Sequence, residues 1–315
     1  MNKFTVDPRP PIYLSLDEEQ WNEKIARSRE LASPCGLCAR HCRAMRYKDT
    51  GSGKSVLPAT GFCGITYRAL ISSFGPHFGE ESPLVGSRGS GTIFFAGCNL
   101  GCSFCQNYTL AHLGEGREVT DEQLAHIMLR VQQMGCHNIN LVTPTHVVPN
   151  ILNAVRTASR LGLELPLVYN TGGYDDPETI RLLDGVVDIY MPDMKYGERE
   201  PAEEFSGAPD YPEINFAVVK EMHRQVGDLV FNNQNGTAVH GLLVRHLVLP
   251  EGKAGTEKIM TFIAEKISRD TYVNIMAQYR PCYKVVGHPV LGRRITSSEY
   301  RAALEIARKA GLRRI

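Results

Sequence analysis

The sequence predicts an α/β fold, a partial (β/α)6 barrel preceded by a cysteine-rich, metal-binding extension. From Gly91 onward, apolar strand-like runs alternate with helical runs, which is typical of parallel βαβ units. Several of these runs are apolar on both faces, as buried parallel strands are. Residues 91–315 hold six such units. A closed eight-unit barrel takes about 250 residues, so an open barrel fits better, and a doubly wound sheet is the competing topology.

Residues 1–90 look irregular and form the predicted extension, and residues 91–315 form the barrel domain. The extension has a Pro-rich start, a short helical pattern at Leu16–Leu31, and then cysteines among Gly, Ser and Lys. The segment KDTGSGKS, Lys48–Ser55, resembles a phosphate-binding loop, but it lacks the glycine spacing and the preceding strand of that motif. We therefore expect a flexible turn there.

The first predicted strand, Thr92–Ala96, ends at a loop of cysteines. The helix Asp121–Gly135 follows Thr120 as an N-cap and stops at a glycine. Functional side chains are expected at the carboxyl ends of the strands. The later elements are strand Asn138–Thr143, helix Pro149–Gly162, strand Pro166–Asn170, helix Pro177–Gly185, strand Val187–Asp193, helix Pro212–Gly227, strand Gly241–Pro250, helix Thr256–Ser268, strand Tyr272–Tyr279 and helix Ser298–Ala310.

Composition limits the partners and the compartment. The formal net charge of +1 gives no general attraction to nucleic acid or to an anionic membrane. The sequence has no apolar run of the roughly 20 residues that a spanning helix needs, and no signal region at its start. We therefore expect a cytoplasmic protein. In that reducing compartment, its nine cysteines are better explained by metal or redox chemistry than by disulfides.

The stretch GCNLGCSFCQNY, Gly97–Tyr108, carries Cys98, Cys102 and Cys105 with the spacing C-x3-C-x2-C. Thiolates suit soft metals and iron–sulfur clusters. Three thiolates can hold three corners of a cubane cluster and leave one iron open to another ligand, as catalytic zinc sites keep one position open. A three-ligand zinc site and unconnected core cysteines are the alternatives.

This spacing, directly after a first βα strand, resembles the radical S-adenosylmethionine (SAM) superfamily. The resemblance implies that the three thiolates hold a 4Fe–4S cluster and that SAM chelates the fourth iron. It also implies that one electron cleaves SAM to methionine and a 5′-deoxyadenosyl radical, which abstracts a hydrogen atom. Phe104, just before Cys105, matches the aromatic residue usual at that position.

Three later segments are similar to the pyruvate formate-lyase activating enzyme-like branch of that superfamily. They are VYNTGGYD (Val168–Asp175), DIYMPDMKY (Asp188–Tyr196) and VRHLVLPEG (Val244–Gly252). The resemblance implies that Lys195 and Arg245 contact the carboxylate or ribose of SAM. It further implies that a set of four residues falls where activating enzymes hold a monovalent cation: Asn170, Thr171, Met191 through its carbonyl, and Asp193.

The chain departs from that branch at TPTH, Thr143–His146, where the branch usually has Gly-Gly-Glu. Thr143, Thr145 or nearby backbone carbonyls can still accept from the ammonium group of SAM. His146 is either a substrate-facing acid or base or a packed residue. Three residues near the last strand complete the candidates: Gln278 and Tyr279 as cofactor contacts, and Cys282 as a thiol near the radical or a packed residue.

A second cysteine group, Cys35, Cys38, Cys42 and Cys63, lies in the extension. Four cysteines make a closed set, which is typical of a structural zinc or of an auxiliary iron–sulfur cluster held only by protein. His41 is a further candidate ligand.

Together these features predict an oxygen-sensitive radical SAM enzyme that receives its electron from a flavodoxin or a ferredoxin. Its substrate is either a glycine on a partner protein, as in glycyl-radical enzyme activation, or else a small molecule or a different protein side chain. The non-enzymatic alternative is a zinc-stabilised barrel that acts as a scaffold or a metal sensor.

Overall fold

The computed structural model describes residues 3–49, 54–57 and 61–315. The strands are β1 Thr5–Val6, β2 Tyr47–Asp49, β3 Lys54–Val56, β4 Ala69–His77, β5 Ser90–Phe95, β6 Arg117–Val119, β7 Ile139–Val142, β8 Leu167–Thr171, β9 Ile189–Pro192, β10 Val230–Asn232, β11 Ala238–Leu247 and β12 Tyr272–Met276. The helices are α1 Glu18–Ala32, α2 Ser82–Val85, α3 Tyr108–Leu113, α4 Asp121–Gln133, α5 Val148–Arg160, α6 Pro177–Leu182, α7 Arg199–Ser206, α8 Tyr211–Val226, α9 Thr256–Phe262 and α10 Ser297–Lys309.

A ten-stranded, mostly parallel sheet forms the centre of the fold. Its parallel part runs β5-β7-β8-β9-β11-β12, so these strands lie side by side in sequence order. The order contains no reversal of the kind found at the switch point of a doubly wound sheet. The predicted α/β class with a mostly parallel sheet is confirmed, and each predicted strand from residue 91 onward overlaps an observed one.

The extension contributes more regular structure than the sequence predicted. The predicted pattern at Leu16–Leu31 corresponds to α1, but the nine-residue strand β4 was missed. It pairs antiparallel with β5 and with β6. Serines, a glycine and a proline interrupt its alternation, and only its first residues are buried, so the period-two signal is weak. β2 and β3 pair antiparallel. The flexible turn predicted in KDTGSGKS falls on residues 50–53, which lie outside the described part of the chain.

Amphipathic helices cover the sheet, and their ends follow local sequence rules. Thr120 caps α4 as predicted, because its hydroxyl accepts from the backbone N–H of Gln123 at 3.2 Å. The buried side of α5, which includes Ile151, Leu152 and Val155, packs into the main apolar core. α9 continues into a π-helical turn at Ile263–Ile267. No helix in the described ranges is long and apolar enough to cross a bilayer.

Candidate active site

The loop that carries Cys98, Cys102 and Cys105 leaves the carboxyl end of β5 and leads into α3. Its first residue, Gly97, has φ +81°, and a Cβ there would lie 2.7 Å from the carbonyl oxygen of Cys63. Only glycine fits such a conformation and so close an approach. The loop is therefore held against the extension where it begins.

The loop opens onto a cavity of about 260 Å³ at the carboxyl ends of the parallel strands. The residues that line it come mainly from β5, β7, β8, β11 and β12, from the turn after β9, and from the cysteine loop and α3. They include ten residues that the sequence predicted as cluster or cofactor contacts: Cys98, Cys102, Phe104, Cys105, Thr143, Asn170, Thr171, Asp193, Lys195 and Arg245. Gln278 lines the same cavity.

Two cations and one carboxylate dominate the charge of the cavity. Lys195 Nζ lies 2.6 Å from Asp193 Oδ2, and Arg245 Nε lies 2.9 Å from Asp193 Oδ1. Burial raises the pKa of Asp193, but Arg245 and Lys195 outweigh burial and hold that pKa below its usual value. Burial lowers the pKa of Lys195, and Asp193 outweighs it, so that pKa lies above its usual value. All three groups are therefore charged at neutral pH, and together they carry one net positive charge. The side chain of Glu80 also lines the cavity and interacts electrostatically with Arg245.

Arg245 is also fixed by the strand beside it. Its Nη2 donates to Asn170 Oδ1 at 2.7 Å. Asn170 stands near the end of β8, and Arg245 stands near the end of β11. The hydrogen bond therefore spans two strand ends and holds the guanidinium in the cavity wall.

Thr143 follows the end of β7 in the left-handed region, with φ +60°. This conformation is rare for a β-branched residue, and it is found mostly where surrounding structure imposes it. Its backbone N–H donates to the carbonyl of Asn170 at 2.8 Å, which holds the turn in place. Thr143 is the first residue of the TPTH segment, Thr143–His146.

Sequence reasoning missed the buried carboxyl of Asp175, which supports one wall of the cavity. It accepts from the hydroxyls of Thr171 at 2.7 Å, Thr145 at 2.7 Å and Tyr169 at 2.8 Å. Burial raises its pKa, and the three hydroxyl donors oppose that effect. Of these residues Thr171 lines the cavity. The only sequence signal was that Asp175 closes the segment VYNTGGYD.

Several predicted contacts do not line the cavity. His146 is buried, with Nε2 2.9 Å from the carbonyl of Ala96, so it is a packed residue and does not face a substrate. Burial, together with Arg46, lowers its pKa to about 4. The hydroxyl of Thr145 is taken up by Asp175. Three further candidates also lie outside the lining: Met191, Tyr279 and Cys282.

Tyr279 nevertheless supports the cavity through an aromatic contact. Its ring centroid lies 5.9 Å from that of Phe104, and its hydroxyl donates to the carbonyl of Leu291 at 2.7 Å. Tyr196 and Phe205 contact Phe104 edge-on in the same way. The ring between the second and third cysteines of the loop is thus held from three sides.

Other lining residues were not predicted, because they come from outside the motif strands. Glu80 belongs to the extension, and His112 lies on α3. His112 Nε2 lies 3.2 Å from the carbonyl of Cys102, so it contacts the cysteine loop directly.

The four cysteines of the extension lie apart from the cavity lining, among residues that pack against the turn after β8. Cys38 forms an isolated bridge with Asp175. His41, the further candidate ligand, is mostly exposed and its Nε2 lies 3.1 Å from Asp176 Oδ2. Among the described residues, no three His, Cys, Asp or Glu side chains stand close enough to hold one metal ion.

Comparisons with known proteins show which family and which folds this chain is similar to. Residues 92–246 match the family model described as the Radical SAM superfamily. The chain is 32% identical over 298 residues to "Uncharacterized protein MJ0674" of Methanocaldococcus jannaschii, which covers 92% of this chain and 78% of that protein. That match extends well beyond residues 92–246, into the extension.

Solved structures with the same fold include a radical SAM methyltransferase from Sphaerobacter thermophilus, with a TM-score of 0.50 and 15% identity. The match covers 71% of this chain and 65% of that one, so this chain spans less than two thirds of its length. HydG, a maturase of the [FeFe]-hydrogenase, matches with a TM-score of 0.45 and 13% identity over 68% of this chain and 47% of that one.

The residues present fit the two groups that this family implies, a 4Fe–4S cluster and SAM. Three thiols in one short loop are the donor set for a cluster with one open corner. Burial, then Cys102 and Cys98, raise the pKa of Cys105 to about 12, so binding of a cluster must displace protons. The two cations in the lining, Lys195 and Arg245, are the side chains that bind a carboxylate such as that of SAM.

Proposed function

Because residues 92–246 form a Radical SAM superfamily domain, we propose that this chain is an enzyme that binds a 4Fe–4S cluster and SAM in the cavity beside β5. The observation that carries this proposal is the convergence in one cavity of the three loop thiols with Lys195 and Arg245. When bound and reduced, the cluster supplies the electron that cleaves SAM to methionine and a 5′-deoxyadenosyl radical, which abstracts hydrogen from the substrate.

The chain's own residues bind and orient the cofactor in this proposal. Cys98, Cys102 and Cys105 supply thiolates. Lys195 and Arg245 hold the carboxylate or ribose of SAM, and Asp193 fixes both cations without cancelling their charge.

Backbone and hydroxyl oxygens complete the proposed SAM site. The ammonium group of SAM donates a hydrogen bond to the hydroxyl or the carbonyl oxygen of Thr143. The left-handed turn at Thr143 places this residue at the cavity. Thr171 lines the same wall, oriented by Asp175. Asn170 is engaged by Arg245, which favours an orienting role for it over the cation site suggested by resemblance.

Other parts of the proposal rest on sequence and topology. The sequential strand order supports a partial barrel of six units, with residues 1–90 as a metal-binding extension. The electron comes from a flavodoxin or ferredoxin, in the cytoplasm. The substrate is either a small molecule or a protein, including a glycine activated as in the pyruvate formate-lyase activating branch. Neither the family model nor the relatives above carry a name from that branch.

Anaerobic reconstitution of the full chain, followed by reduction in the presence of SAM, tests the proposal. We expect 5′-deoxyadenosine and methionine from the native chain and none from Cys98→Ala. Cys136→Ala is the control, because Cys136 is a buried core residue that does not line the cavity. A colourless native protein that binds only zinc and forms no 5′-deoxyadenosine would instead support the scaffold or metal-sensor alternative.

A further inference from the structure

The buried guanidinium of Arg46 is an unusual feature of the extension. Arg46 is 4% exposed and lies among the cysteines of the extension. Its Nη2 donates to Cys63 Sγ at 3.2 Å, and its Nη1 donates to the carbonyl of His146 at 2.5 Å. Its Nε has no hydrogen-bond partner. A buried cation with a free N–H calls for a compensating negative group.

All four cysteines of the extension lie within electrostatic range of that guanidinium, and none of them is in a disulfide. Cys35 and Cys38 are buried, and backbone N–H groups of Leu37 and Arg40 point at their sulfurs. Such N–H···S bonds are typical of thiolates that ligate a metal or a cluster. Four thiolates would supply the negative charge that balances Arg46.

The loop that presents these thiols is closed by its own backbone. The N–H of Cys35 donates to the carbonyl of Ala44, and the N–H of Arg43 donates to the carbonyl of Cys35, both at 3.0 Å. Arg43 has φ +56°, in the left-handed region. Gly61 is required on the other side, because a Cβ there would lie 2.9 Å from Cys42 Sγ. The two segments are thus brought together around the sulfurs.

The spacing of the sulfurs favours a cluster over a single zinc ion. Tetrahedral zinc with Zn–S bonds of about 2.3 Å needs sulfurs within about 4 Å of one another. No three potential ligands in the described residues already stand close enough for one ion. The same is true of Cys98, Cys102 and Cys105, where the family implies a cubane.

We propose that Cys35, Cys38, Cys42 and Cys63 bind a second iron–sulfur cluster, ligated entirely by protein and charge-balanced by Arg46. This cluster adjoins the loop of the first one. The carbonyl of Cys63 lies against Gly97, and the ring of Phe62 lies against Gly101. The inference does not depend on SAM chemistry, because it concerns a separate set of ligands.

The test removes the first cluster and counts what is left. In the chain with Cys98→Ala, Cys102→Ala and Cys105→Ala together, purified and reconstituted anaerobically, we expect about four iron and four sulfide per chain. The native chain should hold about eight of each. One zinc per chain with no iron, or no metal at all, in the triple variant would overturn the proposal.

A second variant pair keeps the test decisive if the triple variant folds poorly. Cys35→Ala with Cys38→Ala should halve the iron of the native chain, whereas Cys136→Ala should leave it unchanged.

Arg46→Met removes the buried cation at similar size and should shift the reduction potential of the second cluster to a more negative value. An unshifted reduction potential in Arg46→Met, or a double variant that keeps the full iron content of the native chain, would contradict the proposal. If only the proposal of a cluster at Cys98, Cys102 and Cys105 fails, the native chain and the triple variant should both hold about four iron per chain.

Discussion

At the scale of single residues, the site depends on charge placed where strands end. Lys195 and Arg245 share one carboxylate, so each is held in position while the group keeps a positive charge for a ligand. Charge-assisted hydrogen bonds of this kind contribute about 1.5–3 kcal/mol when partly buried.

Replacement of Lys195 should therefore weaken SAM binding. Lys195→Ala removes one of the two cations, and we expect roughly a 10–100-fold rise in the Kd for SAM, measured anaerobically by equilibrium binding. Lys258→Ala is the matched control, since the ion pair of Lys258 with Glu198 is about half exposed and such pairs contribute little. Equal affinities in the two variants would contradict the assigned role.

Backbone strain at Thr143 gives a second prediction. The left-handed conformation costs a β-branched residue about 1–2 kcal/mol, and replacement by glycine removes that strain. Glycine also makes the unfolded chain more flexible, which costs about 0.4–1 kcal/mol of stability. Thr143→Gly should thus raise the free energy of unfolding by up to roughly 1 kcal/mol. The helical control Thr157→Gly in α5 should lower it by about 0.3 kcal/mol. A destabilised Thr143→Gly in thermal unfolding would show that the side chain makes contacts worth more than its strain.

At the scale of elements, Arg40 joins the extension to the cysteine loop. Its Nε donates to the carbonyl of Asn99 at 3.0 Å, and its Nη2 donates to those of Leu100 at 2.9 Å and Ser206 at 2.7 Å. The guanidinium also stacks over Phe62, with 3.9 Å between its Cζ and the ring centroid. One side chain therefore ties together the extension, the loop after β5 and the end of α7.

Loss of Arg40 should loosen that loop. In Arg40→Gln we expect amide hydrogen exchange at residues 98–105 to quicken roughly tenfold, as the loss of about 1.5 kcal/mol of local stability would give. Arg40→Lys should recover part of the protection, and the exposed Arg27→Gln should change nothing in the loop. Unaltered exchange in Arg40→Gln would mean that the loop is held without this residue.

Asp188 links another part of the extension to the sheet. Its carboxylate accepts from the backbone N–H groups of Ile12 and Leu167, both at 2.9 Å. Burial raises its pKa to about 7, against the opposing effect of those hydrogen bonds and of Arg9. The folded state therefore binds the proton more tightly than the unfolded state, so this group costs stability as pH rises from about 4 to about 7.

Asp188→Asn removes that pH dependence. The free energy of unfolding of the variant minus that of the native chain should increase as pH rises between about 4 and 7, by at most about 1.4 kcal/mol per pH unit, and should be flat above that range. Thermal unfolding of both chains across pH measures it. A difference that does not vary with pH would show that Asp188 has an ordinary pKa in the folded protein.

At the scale of the whole molecule, the sheet brings together residues that are far apart in sequence. Hydrophobic periodicity was enough to predict the parallel strands, because buried strands and amphipathic helices carry strong local patterns. It was not enough for β4, or for the short β1 and β10, whose pairing is set by tertiary contacts.

For the site, too, local sequence patterns predicted some residues, and others depend on tertiary contacts. Residues at strand ends were predicted because their segments resemble a known family and because parallel strands end on one edge. Arg40, Arg46 and Asp175 were missed, because their roles depend on backbone carbonyls, sulfurs and hydroxyls brought close by the fold. For His146 the sequence left two interpretations open, because its buried position behind the cysteine loop leaves no mark in the sequence, and the structure shows the packed residue.

We propose that the cysteine loop and the two cations form a single site for a cluster and SAM. Electron paramagnetic resonance of the reduced native chain, recorded before and after addition of SAM, tests this proposal, and the triple cysteine variant supplies the background spectrum. We expect a cubane signal that is absent from the variant and that changes when SAM is added. A signal that SAM leaves unchanged would show that the cluster and SAM do not share one site.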